Sequence, residues 1–239
     1  RDILIILKME SELWKAIGYY SSLLGTAMGI GLGLAPIVPF SKIVRGIEKV
    51  RIFPESMIFF NILCPDLWAC YWIRQDLFVP FFSAAAGLIL GLVFATIYMY
   101  FYLDQNTIKW IGSLLIIGSL FSGFHYCLLY IVPKYSYIGF AAMITGILTN
   151  IAPAQNVLKV IRDGEYKLIP ITSTVFGGLV NVFWLLFGIS LIDWNNIIVN
   201  GICLVINIVN TSTYIYYYLK SNKKEENEGN EKLKSEDNQ

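Results

Sequence analysis

The chain has 239 residues, 56 % of them hydrophobic and 15 % charged, with a net charge of +1 and a mean hydropathy of +0.60. Soluble domains carry about a quarter charged residues, so a chain this poor in charge must turn its excess apolar surface to lipid. The balanced charge excludes a basic nucleic-acid-binding surface. Cys64, Cys70, Cys127 and Cys203 lie in apolar runs and share no CxxC spacing and no His cluster, which supports neither a disulfide framework nor a zinc site.

Residues 1–18 read as a separate N-terminal segment, because Ile3–Leu7 is too brief for a signal peptide or a span. A spanning helix needs roughly 20 apolar residues. Seven stretches qualify: Tyr19–Ile43, Pro54–Trp72, Phe78–Tyr102, Ile108–Val132, Tyr137–Ile161, Ile169–Ile192 and Asn195–Leu219. The fold class is therefore an all-α integral membrane protein. Residues 220–239 are rich in Lys, Glu and Asn and are expected to be disordered. Lys42, Arg45, Lys49, Arg51, Lys109, Lys159, Arg162, Lys167 and the tail lysines fall on one side, against Arg1, Lys8, Lys15, Arg74 and Lys134 on the other. The positive-inside rule then predicts a cytoplasmic C-terminus and an N-terminus on the opposite face.

The chain repeats itself. Ala35-Pro36 matches Ala152-Pro153, Pro54 matches Pro170, Trp68 matches Trp184, and Asp76 is paired with Asp193, at offsets of 116 or 117 residues. Helices one to three and five to seven are thus two copies of one unit, and the fourth is a linker. The boundaries are 19–105 for the first repeat, 106–134 for the linker and 135–219 for the second. An extra span between two three-helix units makes them parallel, a plan known among transporters.

Four prolines, Pro36, Pro54, Pro153 and Pro170, sit at matching places and are candidate hinges, since each removes a helical hydrogen bond. Substrate sites in such folds lie at the interface between repeats. Trp68 and Trp184 are the matched aromatic candidates there, able to stack on the C–H face of a sugar and donate from the indole. Trp14, Trp72, Trp110 and Trp194, near span ends, read as interfacial anchors. Asn200 can donate and accept at once, its counterpart by spacing is Ser83, and Asn181 lies nearly one turn from Trp184. Asn61, Asn150, Asn207 and Asn210 are weaker candidates. Asp66 is an acid inside the second span and a candidate proton site, with His125 as a conceivable partner.

The Ala-Pro, the later Pro, the Trp-x-x-aromatic-Gly run and the Asp…Asn-Gly of the second copy resemble the MtN3/saliva repeat of the SWEET sugar transporters, over about Ser21 to Tyr218. That resemblance implies a uniporter of mono- or disaccharides working by alternating access. It also implies a pivoting proline tetrad at Pro36, Pro54, Pro153 and Pro170, a pocket with Trp184 and Asn200, and homo-oligomers. The first copy departs from the pattern at Ser83 or Ala84 and at Trp72.

The expected partners are a small sugar and the lipid bilayer, without cofactor, metal or nucleic acid, in the plasma membrane or an intracellular one. The alternative is a proton-coupled transporter of the PQ-loop type, carrying amino acids or another small solute and using Asp66. A sorting receptor of the same architecture would need charged groups lining its cavity, and apart from Asp66 and His125 the spans show little of that. One histidine and scattered acids disfavour an enzyme.

Overall fold

In the computed structural model the described backbone covers residues 2–47, 55–103, 105–166, 169 and 171–236, and the described side chains are those of the same residues except 2–11, 39, 55–57, 152–156 and 224–236. Helix is the only regular structure among them. The order is α1 (Asp2–Gly33), α2 (Ile37–Val44), α3 (Glu55–Ile73), α4 (Phe78–Tyr102), α5 (Thr107–Tyr126), α6 (Tyr135–Asp163), α7 (Ile171–Leu191) and α8 (Trp194–Glu236). A π-helical turn, Cys127–Ile131, prolongs α5. Phe78–Tyr102, Thr107–Ile131, Ile171–Leu191 and Trp194–Lys223 are long and apolar enough to cross a membrane, and Ile58–Ile73 and Tyr135–Ile151 are shorter apolar helices.

The packing closes a ring. α1 contacts α4 and α7, α7 contacts α8, α8 contacts α6, α6 contacts α3, and α3 contacts α4. Each copy therefore places its third helix between its first and second: α1–α4–α3 and α6–α8–α7. The copies meet along two seams, α1 on α7 and α3 on α6. Each seam joins the first helix of one copy to the second helix of the other, as a two-fold axis along the membrane normal requires. The linker α5 lies outside the ring against α4, and its π-helical turn reaches α3. Leu115, Ile116 and Leu120 on α5 are exposed, which suits a lipid-facing helix.

Two boundaries differ from expectation. Residues 2–18 belong to α1, and Gly18 already packs on Ser190 of α7. Helix α8 runs past Leu219 to Glu236, where the sequence suggested a disordered tail. Glu and Lys are good helix formers, and extending an existing helix avoids the nucleation penalty.

The turns fix the register of the repeat. Asp76 and Ile192 both have left-handed backbone, at φ 58° and 56°. Asp76 N donates to Ile73 O and Leu77 N to Trp72 O, just as Ile192 N donates to Ile189 O and Asp193 N to Gly188 O. The offset here is 116, so Asp193 corresponds to Leu77, and Asp76 to Ile192. By the same register Asn200 corresponds to Ala84 and Ser83 to Val199. The pairings of Asp76 with Asp193 and of Ser83 with Asn200 are each one residue out of step.

Among the described residues, three buried clusters hold the bundle. One joins both copies near the Asp76 and Asp193 turns: Leu67, Cys70, Tyr71, Trp72, Ile138, Ala142 and Phe187, with Leu128 from the linker. At the opposite, charge-rich end, Phe40, Ile43 and Tyr98 cluster within the first copy, and Val157, Val160 and Ile169 within the second.

Candidate functional site

The matched tryptophans stand on the two seams. A Cβ added to Gly25 of α1 would lie 3.1 Å from Cε2 of Trp184 on α7. A Cβ added to Gly146 of α6 would lie 3.8 Å from Nε1 of Trp68 on α3, and 2.9 Å from Val199 on α8. Each indole thus sits against a glycine of the other copy's first helix. A side chain at position 25 would press on the ring, which would have to give by a few tenths of an ångström. Ser83 lies near Gly29, one turn along α1 from Gly25; a Cβ there would be 3.8 Å from its hydroxyl. Ser83 is therefore grouped with the Trp184 seam, and Val199 with the Trp68 seam.

Around Trp184 the second copy builds a chain of amides. Asn196 donates from Nδ2 to the carbonyl of Trp184 at 3.0 Å, tying α8 to α7. Asn200, one turn on, donates to the Asn196 carbonyl at 2.8 Å and to its Oδ1 at 2.6 Å. Both asparagines are buried. Gly188 makes this possible: a Cβ there would meet Asn196 Nδ2 at 3.1 Å. The place of Asn196 in this chain was not legible in the sequence, although its i, i+4 spacing to Asn200 was a signal. Asn181 is half-buried on α7, and no hydrogen bond among the described residues joins it to this chain. Asn150 and Asn207 bond to the carbonyls of Gly146 and Cys203 four residues earlier on their own helices.

Around Trp68 the first copy is aromatic instead. Trp68 stacks on Trp72 with ring centroids 5.3 Å apart, and Trp72 meets Phe187 edge-on at 5.6 Å. Trp72 is 3 % exposed, so it is a core residue and not an interfacial anchor. The reason is position: Trp72 stands where the second copy has Gly188 and fills the corresponding gap.

Above this layer Tyr71 of the first copy donates to Asp193 Oδ1 of the second at 3.0 Å. Asp193 also caps α8, accepting from the backbone of Asn195 at 3.1 Å and of Asn196 at 3.4 Å. Burial raises its carboxyl above the ordinary range, while Tyr71 and the backbone donors pull it back.

Of the proposed hinges, Pro36 lies in the turn Leu34–Pro36 that separates α1 from α2. Its match, Pro153, falls inside the unbroken α6, and its side chain is outside the described residues. Pro54 and Pro170 also lie outside them.

Asp66 is fully buried but not between the copies. Its Oδ1 is 2.8 Å from Nδ1 of His125 on α5, so it faces the linker. Arg74, two turns on, donates to the carbonyls of Val132 at 2.6 Å and Leu128 at 3.3 Å, where the linker ends. Sequence spacing could not bring these together, because α3 and α5 are separated by α4.

Residues 136–222 match a family model described as a sugar efflux transporter for intercellular exchange. Over 84 % of its length the chain is 25 % identical to the bidirectional sugar transporter SWEET4 of Arabidopsis thaliana, covering 83 % of that protein. It is 22 % identical to SWEET5 of the same plant, over 88 % of this chain and 90 % of the relative. The 3.7 Å resolution structure of a eukaryotic SWEET transporter superimposes with a TM-score of 0.75 at 18 % identity, covering 86 % of this chain and 99 % of that one. In sequence the chain is thus similar to the SWEET transporters, and it shares their fold. The SWEET relatives match across both copies and the linker, whereas the family model matches the second copy. That copy is also the one with the Trp-x-x-aromatic-Gly run and the amide chain.

Proposed function

We propose that this chain carries mono- or disaccharides in either direction across a membrane, as a uniporter working by alternating access. The observation that supports it best is the pairing of Trp184 with the Asn196–Asn200 amides at a seam between the copies. An indole face takes the apolar side of a pyranose. Asn200 commits its amide nitrogen to Asn196, which leaves its carbonyl oxygen to accept from a sugar hydroxyl. Trp68, Ser83 and Asn181 complete the pocket in this reading, with Trp68 as the opposite wall.

The closed end is the one with Tyr71 and Asp193, where a buried cluster spans both copies. At the other end the clusters among the described residues stay within their copies. Such an arrangement is what a two-gated carrier has when one gate is shut. Exchange between states requires the copies to rock about their seams, and the matched prolines Pro36, Pro54, Pro153 and Pro170 are the hinges we assign to that motion. The Lys and Arg distribution supports a cytoplasmic C-terminus, hence an arrangement open to the cytoplasm. A plasma-membrane location and self-association complete the proposal, and no bond is made or broken in the cycle.

Reconstitution into liposomes tests this. Labelled glucose or sucrose should enter saturably without a pH gradient and exchange against unlabelled sugar. Uptake that requires the gradient would overturn uniport, and flux of amino acids alone would overturn the sugar assignment. The position of Asp66 against the linker, away from the seams, weighs against the proton-coupled alternative.

A further inference from the structure

Asp66, Cys70 and His125 converge at one point between α3 and the linker. Their potential ligand atoms all lie within 4.8 Å of one another. Asp66 and Cys70 are i and i+4 on one face of α3, so their side chains leave the helix together. His125 comes from α5 in the last turn before the π-helical segment, a distortion that often marks a functional site. The distances are 2.8 Å from Asp66 Oδ1 to His125 Nδ1, 3.5 Å from Cys70 Sγ to His125 Nδ1, and 4.0 Å from Cys70 Sγ to Asp66 Oδ1.

We propose that these three side chains form a zinc-type metal site that clasps the linker helix to the first copy. Tetrahedral zinc with ordinary bond lengths holds sulfur and nitrogen about 3.6 Å apart, sulfur and oxygen about 3.5 Å, and nitrogen and oxygen about 3.3 Å. The observed triangle needs only a widening of the Asp66–His125 edge and a narrowing of the Cys70–Asp66 edge, each by about half an ångström on those values. The thiolate, imidazole and carboxylate set suits zinc better than magnesium or calcium.

A second observation points the same way. Asp66 is 0 % exposed, and among the described residues its Oδ2 has no hydrogen-bond partner. A buried carboxylate oxygen without a partner is expensive in an apolar setting, and a cation beside it removes that cost. Binding displaces the Cys70 proton to solvent, so that a divalent ion, one carboxylate, one thiolate and a neutral imidazole sum to zero charge. A neutral cluster is what a low-dielectric interior tolerates. Arg74 extends the same stripe of α3, at i+4 from Cys70, and grips the end of the linker. The metal would fix the linker one turn deeper.

The test uses the full chain in detergent, stripped by chelator and titrated with Co²⁺. One equivalent should develop a thiolate-to-cobalt charge-transfer band in the near ultraviolet, and Zn²⁺ should abolish it by displacement. Cys70→Ser should lose the band, and Cys64→Ser, Cys127→Ser and Cys203→Ser should keep it. Should Cys70→Ser not yield folded protein, His125→Gln, on the half-exposed side of the cluster, serves instead and should weaken Co²⁺ binding at least tenfold. Zn²⁺ should also raise the thermal midpoint of the wild type but not of these variants. A missing thiolate band, or a band that survives Cys70→Ser or, where that variant does not fold, His125→Gln, overturns the site and leaves Asp66–His125 a plain hydrogen bond. Sugar flux after reconstitution of the same protein into liposomes reads the transport proposal separately, since the clasp does not depend on it.

Discussion

Beyond Trp184 the second copy carries Gly188, Asp193, Asn196 and Asn200, and the same positions of the first copy are Trp72, Leu77, Pro80 and Ala84. The backbones agree there, down to the left-handed residue in the turn. In the second copy glycine opens a gap, an asparagine enters it, and a second asparagine is held in line. In the first copy tryptophan fills the gap, and the helix start has proline and no side-chain cap. A similar exchange occurs further along: Gly91 packs on the backbone of Asn61 in the first copy, while in the second Asn207 packs against Gly177, with large and small partners reversed. Duplication preserved the frame, and the two linings diverged within it. One copy supplies polar groups and the other aromatic mass.

On that division, the two tryptophans should not be equivalent. Trp184→Ala and Asn200→Ala should each abolish sugar flux with the protein still monodisperse, whereas Trp68→Ala should leave measurable flux; equal losses would break the comparison. Gly25→Val comes next. The new side chain meets the Trp184 ring, and flux should fall at least tenfold. Gly29→Ala, with 3.8 Å to Ser83, should remain near wild type. Normal flux in Gly25→Val would show that Trp184 can move without consequence.

A smaller effect concerns the closed end. Tyr71→Phe removes a hydrogen bond to a carboxylate, about 1.5–3 kcal/mol. It should favour opening on that side, read as faster labelling of a cysteine placed beside Asp193. A double-mutant cycle with Asp193→Asn that returned no coupling would deny the clamp. The smallest effect is at Ile192, whose φ of 56° suits glycine and strains a β-branched residue. Ile192→Gly should stabilise by about 1 kcal/mol, a thermal midpoint rise of about 2–4 °C. Asp76 stands at the matching turn, and acidic residues tolerate that backbone better, so Asp76→Gly should do less.

Much of this was legible in residue order. The lengths of the apolar runs gave α4 to the residue and α3, α5, α6 and α7 to within a few. The repeat was visible because Ala-Pro, Trp and the turn acid recur at nearly fixed spacing. Its register was not, because two different residues, Asp76 and Asp193, happen to be acidic at adjacent positions of the aligned turns. Only backbone conformation separates them. Trp184 and Asn200 stand out by type as candidates, whereas the contacts of Asn196, Gly25 and Tyr71 with Trp184 and Asp193 do not show in the residue order, since each is made to another helix.

Sequence alone determined the solvent of this protein and the duplication of its apolar segments, because hydrophobic run length and periodic recurrence are properties of the chain itself. Tertiary structure decided which helix faces which. The third helix of each copy slips between the other two, so the seams pair first helices with second helices of the opposite copy. That exchange sets Trp184 against Gly25 and turns Asp66 toward His125, because side-chain encounters between helices depend on packing order, which no local pattern encodes.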